Sequence, residues 1–147
     1  MKSKIDHYSE ILYRLSQLPG TTTEDWLKRI LSTTANAINC ERVSIWLFDE
    51  KKNSIKADYV YQLSTDTFLP GSTILRKNYP RYFKAVTKNT EQIVTRDAIS
   101  EPRTSEFSKK YLIPNKITSM LDVPIHFEAK VIGVLCHEHV GRKRAWA

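Results

Sequence analysis

The residues with the richest chemistry lie near the C-terminus, in the run Cys136-His137-Glu138-His139. Thiolate, imidazole and carboxylate are the ligand types of a zinc site, which needs four donors converging on one point. The run sits in a β-type sequence, however, and alternate residues of a strand face opposite ways. His137 and His139 therefore share one face while Cys136 and Glu138 share the other, so no metal site is expected and the group reads as strand-end polar residues. The Cys136/Glu138 face is left to form part of a pocket wall. Cys40 lies far from Cys136 in sequence, and two distant cysteines make no disulfide framework. Each reads as a small buried hydrophobe. No nucleophile–base pair stands at a recognisable spacing, so no catalytic residue is assigned.

Three further groups are candidates for binding. Asp97 and Arg103 flank a turn containing Glu101-Pro102, where an Arg–carboxylate contact would lock the segment or Arg103 would meet an anionic ligand. The structural lock is the favoured alternative. Asp122 interrupts an apolar strand that also carries Met120, before Pro124, and needs a partner if buried, whether a backbone amide or a ligand. Trp46, Tyr59, Tyr61, Tyr79, Tyr82 and Phe83 offer apolar area with polar handles, which suits a small-molecule wall and an ordinary core equally.

These residues need elements to hold them. Ile5, Tyr8, Ile11, Leu12, Leu15 and Leu18 fall at helical spacing and predict a first helix, ended by Pro19-Gly20. Thr21-Thr22-Thr23 caps a second, amphipathic helix carrying Leu27, Ile30, Leu31, Thr34 and Ile38. Strands are predicted at Arg42–Phe48 and Ile55–Gln62, joined by a polar turn, and at Lys116–Val123, stopped by Pro124. Ile125–Glu128 and Val131–His139 form another hairpin with its turn at Ala129-Lys130, and the second of these strands is apolar at both parities, so both its faces should be covered. Residues 63–115 read as a largely irregular lid with helical pieces near Tyr79–Lys88 and Thr104–Tyr111 and a short strand at Glu91–Thr95.

The 147 residues amount to one ordinary domain, with a hydrophobic share of 41% that allows a packed core. The formal charge of +7 is spread over short, separate basic pairs and one triplet, Arg142-Lys143-Arg144, without interleaved aromatics. A nucleic-acid partner is therefore not expected. No stretch is long and apolar enough for a membrane span, the N-terminal residues show no apolar signal core, and cysteine usage suits a reducing, cytoplasmic setting.

In this order of elements, five segments resemble a GAF domain, specifically the sensory GAF domains of bacterial signalling proteins. They are Arg42-Val43-Ser44-Ile45-Trp46-Leu47; Tyr79-Pro80-Arg81-Tyr82-Phe83; Asp97-Ala98 with Pro102-Arg103-Thr104; Ser119 to Ile125; and Val131 to Gly141. The resemblance implies an α+β fold: a central antiparallel sheet of five or six strands, helices on one face, and a loop and short-helix lid over a pocket on the other. Residues 21–147 would form this domain and residues 1–20 a signalling or dimer helix. It also implies a final long helix after the last strand. The sequence ends at Arg144-Ala145-Trp146-Ala147, so that helix would be missing or abbreviated.

The function implied is a small-molecule-binding sensory module without catalysis of its own. It would form a homodimer through its terminal helices and regulate an effector in the same polypeptide, such as a histidine kinase or a cyclic-di-nucleotide enzyme. The pocket candidates are Trp46, Tyr61, Tyr82, Phe83, Asp97, Arg103, Met120, Asp122, Cys136 and Glu138. The ligand is unknown. Some GAF domains attach a bilin through a lid cysteine, but residues 63–115 contain none, so a covalent bilin is not expected. Phe48-Asp49-Glu50 is contiguous, unlike the spaced signature of cyclic-nucleotide-binding members, and no phosphate loop is present, so a nucleotide is not supported, nor is haem. The alternatives are a ligand-free dimerisation module and, further off, a redox enzyme of the methionine sulfoxide reductase type.

Overall fold

The computed structural model describes residues 22–88 and 92–146. The expected helix over residues 5–18 lies outside them. Helix α1 (Thr23–Ile38) begins where its cap chemistry dictates. Thr22 accepts from the Asp25 amide and Asp25 returns a bond to the Thr22 amide, with Glu24 and Asp25 in the positive first turn. Asn39, left-handed at φ 49°, ends the helix.

The sheet that follows is antiparallel throughout. Its strands are β1 (Arg42–Phe48), β2 (Ser54–Lys56), β3 (Tyr59–Gln62), β4 (Thr67–Pro70), β5 (Thr73–Leu75), β6 (Ile93–Thr95), β7 (Ile117–Phe127) and β8 (Lys130–Val140). The sheet has eight strands: six run β4-β3-β1-β8-β7-β6, matching in number the five or six that the resemblance implied, while β2 and β5 form a side ribbon reached through β1. β8 lies between β1 and β7, and it is apolar at both parities because the core beneath α1 covers one of its faces and the lid-side core the other. Helix α2 (Pro80–Lys88) and two short turns of helix, Ser105–Phe107 and Ser108–Leu112, belong to the lid.

Four sequence expectations are corrected. The expected second strand is broken at Ala57-Asp58, and the lid contributes two strands, β4 and β5, that had read as irregular. Tyr61, Val60 and Tyr59 pair with Phe68, Leu69 and Pro70, and these few β-formers alternate too briefly to announce a strand by pattern alone. Pro124 does not stop β7. The pairing of β6 with β7 ends at Asp122, so at Pro124 one side of the strand is an open edge where a missing N–H costs no ladder bond. The hairpin turn falls on Glu128 and Ala129, both at positive φ (47° and 63°), one residue earlier than expected.

Alternation along β1 and β8 separates two cores. Leu31, Ala35, Cys40, Val43 and Tyr61 pack beneath α1, whereas Trp46, Tyr82, Phe83, Phe107, Met120 and Cys136 pack on the lid face. Residues 141–146 cross the α1 face as a strap. Arg144 donates to the Ile38 and Asn39 carbonyls at the negative end of α1, and Trp146 donates to the Thr95 carbonyl. Lys143 pairs with Asp97, and the Arg144 amide donates to Ser119 Oγ, which itself donates to the Arg96 carbonyl. Among the described residues no helix is long and apolar enough to cross a membrane.

Candidate functional site

Between the sheet and the lid lies a small chamber. Its floor comes from β1 (Trp46), β7 (Met120) and β8 (Cys136, Glu138), and its side from the β2–β5 ribbon (Ile55, Ile74). Its roof is Tyr82 from α2 with Phe107 and Tyr111 from the short helical turns. The rings are set edge to face, Tyr82 on Phe107 at 4.9 Å and 82°, and Phe107 on Tyr111 at 6.5 Å and 66°. The free space between roof and floor is about 20 Å³, room for about one water. Organic ligands need on the order of 300 Å³ or more, so the chamber as it stands is filled by its own aromatic roof.

Two buried carboxylates tie that roof to the floor. Tyr82 donates to Asp122 Oδ2 at 2.6 Å. Tyr111 donates to Glu138 Oε1 at 2.8 Å, and Arg42 reaches the same oxygen at 3.5 Å while donating to the Tyr111 hydroxyl at 3.2 Å. Glu138 thus has a cation and a donor. Burial raises its pKa, and Arg42 and Tyr111 oppose that rise. Asp122 is fully buried, and its Oδ1 has no hydrogen-bond partner. Burial pushes its pKa up to about 7; the Tyr82 hydroxyl and the Cys136 thiol oppose the rise and neighbouring Glu138 adds to it.

A pH prediction arises here. The folded-state pKa of Asp122 lies above its ordinary value of 3.8, so the folded state holds a proton that the unfolded chain has lost. Its contribution is fully present below about pH 4 and is lost as pH rises to about 7, a swing of roughly 4 kcal/mol. Asp122→Asn removes this titration. Denaturant unfolding should therefore show wild type gaining on the variant steadily as pH falls from 7 to 4, and parallel pH curves for the two proteins would refute the assignment.

The sequence-predicted residues divide as follows. Trp46, Tyr82, Met120, Cys136 and Glu138 line the chamber, and Asp122 sits behind it on Tyr82. Phe83 is buried in the same core, edge to face with Phe48, but does not line the chamber. Tyr61 is misplaced by the sequence reading. It lies on the opposite face under α1, its hydroxyl on Asp66, because odd-numbered positions of β3 pair into that face. Asp97 and Arg103 do not meet: Arg103 pairs with Glu101 at 2.8 Å and Asp97 with Lys143. Both are half-exposed surface contacts, so the lid lock is built from the tyrosine–carboxylate bonds instead.

Sequence reading missed Ile55, Ile74, Phe107 and Tyr111 in the lining, and Arg42 behind it. Tyr111 closes a predicted helical piece, and only its partner Glu138 would have pointed to it. The strand alternation is as expected at 136–139. Cys136 and Glu138 face the chamber, while His137, held on the Leu121 carbonyl at 2.7 Å, belongs to the other side. No group of three or more potential metal ligands occurs among the described residues. Cys40 is on the α1 face and Cys136 on the lid face, so the sheet separates them. Burial pushes the Cys40 thiol up to about 11 and the Cys136 thiol well above its usual range, which keeps both as poor nucleophiles.

With this geometry in hand, comparison with known proteins is informative. The family model of the GAF domain matches residues 22–147. No curated protein matches the chain. Among solved structures, the chain is similar to the GAF domain of an Acinetobacter phosphoenolpyruvate-protein phosphotransferase, with 18% identity, TM-score 0.64, and coverage of 100% of this chain and 83% of that one. It is also similar to a far-red cyanobacteriochrome photoreceptor, with 17% identity, TM-score 0.70 and coverage of 98% and 86%. The GAF domain of a two-component sensor histidine kinase from Bacillus halodurans matches with 21% identity, TM-score 0.61 and coverage of 84% and 80%. At these identities the likeness is one of fold.

Proposed function

Since the chain belongs to the GAF domain family, we propose that it is a regulatory module whose lid is the moving part and whose input is a small molecule taken up between lid and sheet. One observation carries this reading. The roof reaches the floor through two tyrosine hydroxyls, each bound to a buried carboxylate. A ligand that competes for Asp122 or Glu138 would release Tyr82 or Tyr111 and with them α2 and the short helical turns, giving the lid two alternative arrangements. The closed arrangement is the one described above, and a ligand enters by displacing the aromatic roof. The signal would pass to an effector in the same polypeptide, of the histidine kinase or cyclic-di-nucleotide class, and a dimer would form through terminal helices.

The test is a thermal-shift screen with nucleotides, amino acids, amines, bilins and haem, followed by hydrogen exchange on any compound that responds. A true ligand should raise Tm and change amide exchange within residues 76–112 while leaving β1 and β8 unchanged. A panel that moves neither quantity would remove the ligand reading. The observation that then gains weight is the chamber volume of about 20 Å³, which suits a self-filled, ligand-free interaction module. Catalysis by Cys136 is disfavoured by burial, which holds its thiol pKa well above the usual range.

A further inference from the structure

The floor of the chamber is electrically unbalanced. Arg42 compensates Glu138, but the charged group acting on Asp122 is Glu138, a second acid. When both carboxylates are ionised, one buried negative charge has no counter-ion. Nor is the deficit only one of charge. Asp122 is 0% exposed, and of its two oxygens Oδ2 takes the Tyr82 hydroxyl while Oδ1 has no well-formed hydrogen bond, the Cys136 thiol lying beside the carboxyl as a weak donor. A buried acceptor of this kind is costly to leave unmet. Asp122 sits behind the chamber wall, covered by Tyr82, and becomes reachable from the chamber when that ring is lifted; the chamber's own rings are Trp46, Tyr82, Phe107 and Tyr111, and ring faces attract cations.

Resting on the chamber as a ligand site, we propose that the ligand is a small organic cation, a protonated amine or an amidinium, whose N–H groups bind Asp122 Oδ1 and whose carbon substituent lies against the lid aromatics. An ammonium head has about the bulk of a water molecule, so it fits where the Tyr82 hydroxyl now covers Asp122 once that ring is lifted. The substituent is what must lift Tyr82 and Phe107. A carboxylate or phosphate ligand would instead bring a like charge to Asp122 and Glu138, which the site disfavours. A neutral alcohol of the same shape supplies a hydrogen bond but no charge.

Benzylammonium, benzyl alcohol and benzoate separate these possibilities, titrated calorimetrically into the full chain near pH 6 in two buffers of different ionisation enthalpy. Benzylammonium should bind at least about tenfold tighter than the alcohol, the usual advantage of a charge-assisted hydrogen bond, and benzoate should not bind. Binding should release up to about one proton near pH 6 and almost none near pH 8.5, because the cation selects the ionised carboxylate. Asp122→Asn, checked for folding by circular dichroism, should abolish the preference for the cation over the alcohol. Equal affinity for cation and alcohol, an unchanged preference in the Asn variant, or no proton release in wild type would each overturn the proposal. The release measurement needs no variant. If a non-cationic compound from the broader screen binds and moves the lid, only the ligand class falls; silence from every compound removes both readings.

Discussion

Gly133→Ala is expected to lower the stability of the domain by about 3 kcal/mol or more, at the upper end of what overpacking costs. Gly133 sits on β8 opposite Leu47 of β1 and Ile125 of β7, with backbone on both sides. A methyl carbon there would lie well inside van der Waals contact of the Trp46 carbonyl oxygen and 2.9 Å from Leu47 Cδ2. The leucine can rotate away, but the carbonyl is fixed in the β1–β8 ladder. Relief therefore requires the two central strands to separate locally, which moves Trp46 on the chamber floor. Urea unfolding of the variant measures the loss, and near-ultraviolet circular dichroism should report an altered tryptophan environment. A variant within about 0.5 kcal/mol of wild type, the range of ordinary surface changes, would contradict the tight β1–β8 approach.

The second large effect is expected from Arg42→Ala. Arg42 is 11% exposed and Glu138 3% exposed as side chains, so removal of the cation leaves an almost fully buried carboxylate with only the Tyr111 hydroxyl. Breaking a buried pair from one side costs about 3–5 kcal/mol. The pH dependence gives the cause away. Without Arg42, the already raised pKa of Glu138 rises further. The variant's deficit should then be greatest at neutral and higher pH, and shrink as the pH falls towards the ordinary carboxylate range, where Glu138 takes a proton. Adding Glu138→Gln to Arg42→Ala should recover part of the loss, and a strictly additive pair of substitutions would show that the two side chains are not coupled.

The fold was largely legible because its signals are periodic. The α1 stripe, the double-sided burial of β8 and the alternation at 136–139 follow from spacing alone. The order of elements supported the resemblance that the family match bears out. The site was legible only in part. Cys136 and Glu138 were found because a strand's parity assigns a face, and Trp46 as one of the aromatics suited to a wall, but parity had to be known for β3 to place Tyr61, and the break at Ala57-Asp58 hid it. Phe107 and Tyr111 come from helical turns three to five residues long, too short to show a period. The Arg42–Glu138 pair spans 96 residues, and nothing local in either neighbourhood announces it.

The strap at the end of the last strand has a mechanical consequence. A pulling force applied near residue 146 would not simply peel β8 from the sheet. It would first load Trp146 on Thr95, then the Arg144 contacts on the last turn of α1, and then Lys143 on Asp97. Those anchors lie on α1, on β6 and on the turn after it, where the lid rejoins the sheet at Arg96 and Ser119. Tension entering at this end is thus divided among α1, β6 and the turn after it, and is not carried by the β8 ladder alone.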